Sequence, residues 1–173
     1  MTTTASLLTR FQRILLGTDG TVTHILEAYA DESIEAVKLA QDLDTARSDG
    51  AVLEVPSDAA VLRRRVVLRG VESGRNLLYA EAVVVTDRVN LDFLNGLLQT
   101  DQPIGRLLAE HRSETFREIL LVDREPAGSC AAHLGIDSTA EVIFRTYRIV
   151  ARGKPIMVIT EKFPADSFRG LPG

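Results

Sequence analysis

The chain is short of the features that announce most chemistries. It has a single cysteine, Cys130, which excludes an internal disulfide and suits a reducing compartment. No stretch approaches the roughly 18 apolar residues of a membrane span. Met1–Ser6 lacks a charged opening, and Arg10 and Arg13 interrupt the apolar residues that follow, so no export signal is expected. Glycines fall singly at turns, and neither GxGxxG nor a GxxxxGKS or GxxxxGKT loop is present, which removes the usual support for nucleotide binding. A basic face is missing as well: 24 acidic and 20 basic side chains give a formal charge of −4, and arginines cluster only at Arg63, Arg64 and Arg65. A nucleic-acid partner is therefore not expected. Cys130 and His133 have a ligand-like spacing, but no CxxC exists, and His24 and His111 lie in unrelated contexts. A buried cysteine and a partly exposed histidine are expected there, rather than a metal site or a nucleophile. What remains is a soluble, cytoplasmic chain of 173 residues, 45% hydrophobic, the size of one domain spanning residues 1–173 with a real core. Nothing in the sequence sets an oligomeric state.

Periodicity supplies the elements. Leu7, Leu8, Phe11, Ile14 and Leu15 fit one stripe of a helix stopped by Gly17 to Gly20. A short helix follows, capped by Thr21 or Thr23, with Ile25, Leu26 and Tyr29 facing inward. Ser33 to Leu43 is ambiguous: Val37, Leu39, Gln41 and Leu43 alternate as in a strand, whereas Ile34, Val37 and Ala40 suit a helix, which propensity slightly favours. Asp44 to Pro56 reads as a polar loop. Leu62 to Leu68 and Leu77 to Thr86 form a β-hairpin across Gly70 to Asn76. Between Leu91 and His111 the pattern is helical, broken at Thr100 to Gln102 and reopened by Pro103. Arg117 to Asp123 reads as a strand and Ala127 to Leu134 as a short helix ended by Gly135. Glu141 to Ala151 and Pro155 to Phe163 make a second hairpin across Arg152 and Gly153. These elements predict an α+β fold, one antiparallel sheet backed by helices on one face. Strand alternation disfavours a parallel doubly wound sheet.

Two strands carry the candidate site. With a two-residue period, Leu62, Arg64, Val66 and Leu68 share one face, so Arg64 points with the apolar set. Pro155, Met157, Ile159, Glu161 and Phe163 share a face in the same way, which turns Glu161 inward. Buried charges pair with each other, bind a ligand, or do both. The bland reading is an Arg64–Glu161 ion pair. The functional reading is a site for a small hydroxylated carboxylic acid, with the guanidinium fork on the carboxylate and the glutamate on the hydroxyl as hydrogen-bond acceptor, acid or base. Arg148 shares a face with Phe144, Thr146 and Val150, as a second anion contact or, more commonly, a snorkelling surface arginine.

Several segments resemble one family in its own order along the chain. They are Asp19-Gly-Thr-Val-Thr23, Leu62-Arg-Arg-Arg-Val-Val-Leu68, Asp101-Gln-Pro-Ile-Gly105, Glu114-Thr-Phe-Arg-Glu118, Arg145-Thr-Tyr-Arg-Ile149 and Gly153-Lys-Pro-Ile-Met-Val-Ile-Thr-Glu-Lys-Phe163. Together they resemble the chorismate pyruvate-lyases, in the branch that includes mycobacterial 4-hydroxybenzoate synthases. The resemblance implies a chorismate lyase-like fold and makes Ser33 to Leu43 a strand. It also implies an enzyme, a carbon–oxygen lyase that eliminates pyruvate from chorismate to leave 4-hydroxybenzoate, without metal or organic cofactor. By the same resemblance Arg64 grips the ring carboxylate and Glu161 lies beside the ring hydroxyl. Val22 and Ile104 fall at the other ligand-contacting positions. In the family's better-known branch a Met stands where this chain has Val22, and the hairpin after Arg64 is shorter here.

A rival resemblance comes from the UTRA-type effector-binding domains of bacterial transcription regulators, which share this fold. It rests on Ala131-Ala-His-Leu-Gly135, Ile143 to Arg148 and Gly153-Lys-Pro155. It implies a non-catalytic protein that binds a small effector. Such regulators carry an N-terminal winged helix, and the residues ahead of Gly17 are too few for one, which favours the lyase.

Overall fold

In a computed structural model, which describes residues 8–112 and 114–169, six strands form one antiparallel sheet. They are β1 (Ile34–Thr45), β2 (Ala60–Gly70), β3 (Asn76–Val85), β4 (Phe116–Pro126), β5 (Glu141–Ala151) and β6 (Lys154–Pro164), in the spatial order β1-β2-β3-β6-β5-β4. The two expected hairpins are present and are joined through the β3–β6 pairing. Arg152 and Gly153 both take positive φ (52° and 75°), the pair of left-handed conformations that lets a two-residue turn follow the twist of its strands.

The segment from Ser33 to Leu43 is strand β1, against its slight helical propensity. As an edge strand it is bulged between Lys38 and Ala40, so the alternation slips: Leu39 is 36% and Leu43 71% exposed. The polar stretch from Asp44 is not a plain loop. It holds a 3₁₀ turn (Arg47–Asp49) running into a four-residue helix, α3 (Gly50–Leu53), too short to show any periodicity.

Helices α1 (Arg10–Gly17), α2 (Val22–Ala30), α4 (Leu91–Gln99) and α5 (Ile104–Glu110) lie on one sheet face. α1 opens with a capping box in which Thr9 Oγ1 accepts from the Gln12 amide and the Gln12 side chain accepts from the Thr9 amide. Its stripe is shifted from the expected one: Leu15 and Leu16 are buried while Ile14 is 59% exposed, and Leu7, like Met1–Ser6, lies outside the described residues. Helices are not confined to that face. α3 caps Val61, Val83, Val85 and Val158 on the opposite side, and α6 (Ala131–Leu134), ended by Gly135 at φ 68°, covers Val67, Tyr79 and Val142 there. Cys130 is buried, His133 half-buried and stacked on Tyr79 with centroids 5.7 Å apart.

On the main face the core divides. Leu15, Leu16 and Leu26 of α1 and α2 pack on Leu68, Leu78 and Phe163, whereas Phe93, Leu97, Leu107 and Leu108 of α4 and α5 pack on Leu62, Val84 and Met157. A buried leucine contributes about 2 kcal/mol, so each half is well anchored. The seam between them lies over the middle of the sheet.

Candidate functional site

That seam is a pocket with about 590 Å³ of free space, its mouth included. Its floor is a consequence of residue size. Arg64 on β2 is paired with Ala82 on β3, and Ala82 with Ile159 on β6; Val66 is likewise paired with Ala80, and Ala80 with Glu161. The two alanines of the central strand leave space where Leu78 and Val84, before and after them, fill it. Two strand spacings and two residues separate the backbones of Arg64 and Glu161, about 12 Å, room for a ring between inward-reaching side chains.

The walls are the beginnings of α2 and α5. Thr21, Val22 and Thr23 form one side and Pro103, Ile104 and Gly105 the other. They meet where a Cβ on Gly105 would stand 2.9 Å from Thr21 Cγ2, so only glycine permits this approach. The structure thus brings Val22, Arg64, Ile104 and Glu161 to the lining of one pocket.

Arg64 and Glu161 are not each other's partners. Arg64 is 2% exposed, yet its one hydrogen bond runs from Nη2 to the Gln102 carbonyl at 3.0 Å, and Nε and Nη1 are buried with no partner among the described residues. Burial pulls this guanidinium below its ordinary pKa, opposed by the Asp101 carboxylate; an arginine stays charged at neutral pH regardless. Glu161, 4% exposed, accepts instead from Arg145 Nε at 2.7 Å and from the Tyr147 hydroxyl at 2.9 Å. Arg145, 1% exposed, also donates to the Thr18 carbonyl at 2.7 Å and lies 4.9 Å from the Tyr147 ring centroid. Burial, then the Glu161 charge, drive the Tyr147 phenol far above its ordinary pKa, which keeps it a donor.

Sequence reading passed over Arg145, Tyr147 and Arg117, all of them in or beside this pocket. The signal was available for the first two, since Ile143, Arg145, Tyr147 and Ile149 alternate inward as the strand of Arg64 does. Arg117 stands on an edge strand whose burial is irregular, and no pattern isolates it. Arg148 lies on the opposite face, where it pairs with Glu118 (2.6 Å) and Glu54 (2.8 Å); it is no anion contact of this pocket. Each carboxylate oxygen of Glu161 accepts one bond, from Arg145 or from Tyr147, and has capacity for another, so the pocket lining offers a desolvated cation and a held acceptor across an apolar floor.

Comparison with known proteins gives the chain relatives over nearly its whole length. The chorismate pyruvate-lyase of Mycobacterium tuberculosis is 32% identical over 169 residues, covering 95% of this chain and 85% of that one. The enzyme of the same name from Mycobacterium leprae is also 32% identical, over 95% of this chain and 79% of its own. Among solved structures, the effector domain of PhnF from Mycobacterium smegmatis superposes with a TM-score of 0.66 at 22% identity, covering 85% of this chain and 90% of that one; at that identity the likeness is one of fold. The sequence model described as chorismate pyruvate-lyase Rv2949c-like matches residues 15–169. With the family model matched over nearly the whole chain and relatives at 32% identity, the chain belongs to the Rv2949c-like chorismate pyruvate-lyase family.

Proposed function

We propose that the protein is a chorismate pyruvate-lyase, converting chorismate to 4-hydroxybenzoate and pyruvate in the cytoplasm. The observation that carries this reading is Arg64, a buried guanidinium on an apolar pocket with two nitrogens that have no partner among the described residues, as a ring carboxylate requires. The named relatives support it.

In the reaction the proton on the hydroxyl-bearing ring carbon leaves, and the C–O bond of the neighbouring carbon breaks. That bond's electron pair departs on enolpyruvate, which takes up the proton to become pyruvate while the ring becomes aromatic. Aromatisation supplies the driving force, so the pocket's work is positioning and electrostatics. Arg64 fixes the ring carboxylate at one end. Val22 and Ile104 hold the ring faces. Glu161, oriented by Arg145 and Tyr147, receives the ring hydroxyl and stands where a proton is to be moved.

The test is incubation of the purified protein with chorismate and chromatographic identification of products. Equal amounts of pyruvate and 4-hydroxybenzoate, above the uncatalysed rate, are expected. No turnover moves the reading to effector binding in the same pocket, which the PhnF likeness favours. Glu161→Gln is expected to cost turnover about 10²-fold or more while retaining most affinity; equal losses in both remove the proton-handling role.

A further inference from the structure

The pocket holds a second guanidinium with an unmet donor, on the far side of Glu161 from Arg64. Arg117 projects from β4 into the lining. Its Nη1 holds the Asp19 carbonyl, its Nε is buried without a hydrogen-bond partner among the described residues, and its guanidinium carbon lies 5.8 Å from the Tyr147 ring centroid. Along the sheet the groups run from Arg64 on β2, over the alanines of β3, to Glu161 on β6, Tyr147 on β5 and Arg117 on β4. Arg145, the remaining guanidinium of this cluster, is already engaged by the Glu161 carboxylate and by the Leu16 and Thr18 carbonyls.

We infer that Arg117 is the receptor for a second carboxylate, and that the site is built for a dicarboxylate rather than a simple hydroxybenzoate. This rests on the proposed function. A ligand whose ring carboxylate is on Arg64 and whose hydroxyl is on Glu161 places any substituent next to that hydroxyl toward Tyr147 and Arg117. In the substrate that neighbouring substituent is the enolpyruvyl ether, which ends in a carboxylate. Arg64 then holds the part of the molecule that stays aromatic, and Arg117 holds the part that leaves. Two consequences follow. The substrate is gripped at both ends, which limits rotation about the ether bond that breaks. Once that bond is broken, neither product carries both carboxylates, so each has only one of the two anchors.

The test compares two non-reacting ligands by calorimetry: 4-hydroxybenzoate, and 3-(carboxymethoxy)-4-hydroxybenzoate, which adds a carboxylate on an ether beside the hydroxyl. The wild-type protein is expected to bind the diacid at least about 10-fold more tightly, the worth of one charge-assisted contact. Arg117→Gln is expected to abolish that preference, lowering diacid affinity about 10- to 100-fold and leaving 4-hydroxybenzoate unchanged. Arg117→Lys, which keeps the charge without the fork, recovers part of it. Arg64→Gln is expected to weaken both ligands. Equal weakening of both ligands by Arg117→Gln makes Arg117 a tether of the Asp19 loop and overturns the inference. So does a wild-type protein with no preference for the diacid, a result that needs no variant. Diacid preference without chorismate turnover sinks the lyase reading and leaves this one standing.

Discussion

Arg64 and Arg145 are chemically identical, lie on the same face of the same sheet and are equally buried, yet their surroundings are opposite. Arg145 has its carboxylate, backbone carbonyls and an aromatic face; among the described residues Arg64 has one carbonyl and two idle nitrogens. A buried charge that is satisfied is structure, because removing it strands its partner. A buried charge that is not satisfied carries a desolvation cost the fold does not offset, and that cost is intelligible when a ligand supplies the missing acceptor. Burial alone therefore does not separate scaffold from site. The tally of hydrogen bonds does.

The contrast breaks most sharply on activity. Arg64→Gln is expected to lower kcat/KM for chorismate about 10³-fold, the loss of two charge-assisted bonds, with a thermal melt no lower than wild type. A variant that melts much lower while retaining activity reverses the assignment. Arg145→Met is expected to do the opposite first. Leaving Glu161 buried and unpaired costs about 3–5 kcal/mol, measurable by urea unfolding, and activity is lost as a consequence. Tyr147→Phe keeps the ring against both guanidiniums and removes one donor to Glu161, for about 1–2 kcal/mol.

The smallest effect belongs to the far face, where Tyr79 serves as a control. Burial, followed by its hydrogen bond to Glu81, pushes its phenol up to about 12. A phenol with a folded pKa above the unfolded value of about 10 stabilises the fold below pH 10, and that stability is lost as pH rises from 10 to 12. Tyr79→Phe is expected to reduce the fall in stability over that window and to leave turnover at neutral pH untouched. Tyr147, raised further still, supplies the part of the fall that continues above it. Alkaline unfolding curves of the two variants distinguish these contributions.

The central hairpins were legible because runs rich in Val, Leu and Ile lie on either side of glycine-marked turns, and Arg64 and Glu161 were legible as the charged members of otherwise apolar strand faces. The edge strand β1 was ambiguous, since Ile34, Val37 and Ala40 keep a helical spacing and a bulge after Lys38 breaks the strand's period; family resemblance supplied what pattern lacked. The Arg64–Glu161 ion pair, left open as the bland alternative, does not form, and the actual partner was not legible because alternation reports which face a side chain occupies and nothing about which strand lies next to it. Glu161 stands directly opposite Arg145 across β5–β6, whereas β3 lies between it and the strand of Arg64. Strand order is set by long-range packing, and no local pattern encodes it.

The paired alanines at 80 and 82 make the cargo a piece of the architecture. Between two anchored halves of the core they omit the side chains that would otherwise join them, so whatever lies there completes the hydrophobic layer. Occupancy is then linked to folding: the melting temperature rises with ligand concentration by mass action. Enlarging either alanine to valine trades that dependence for a sturdier protein with less room to work.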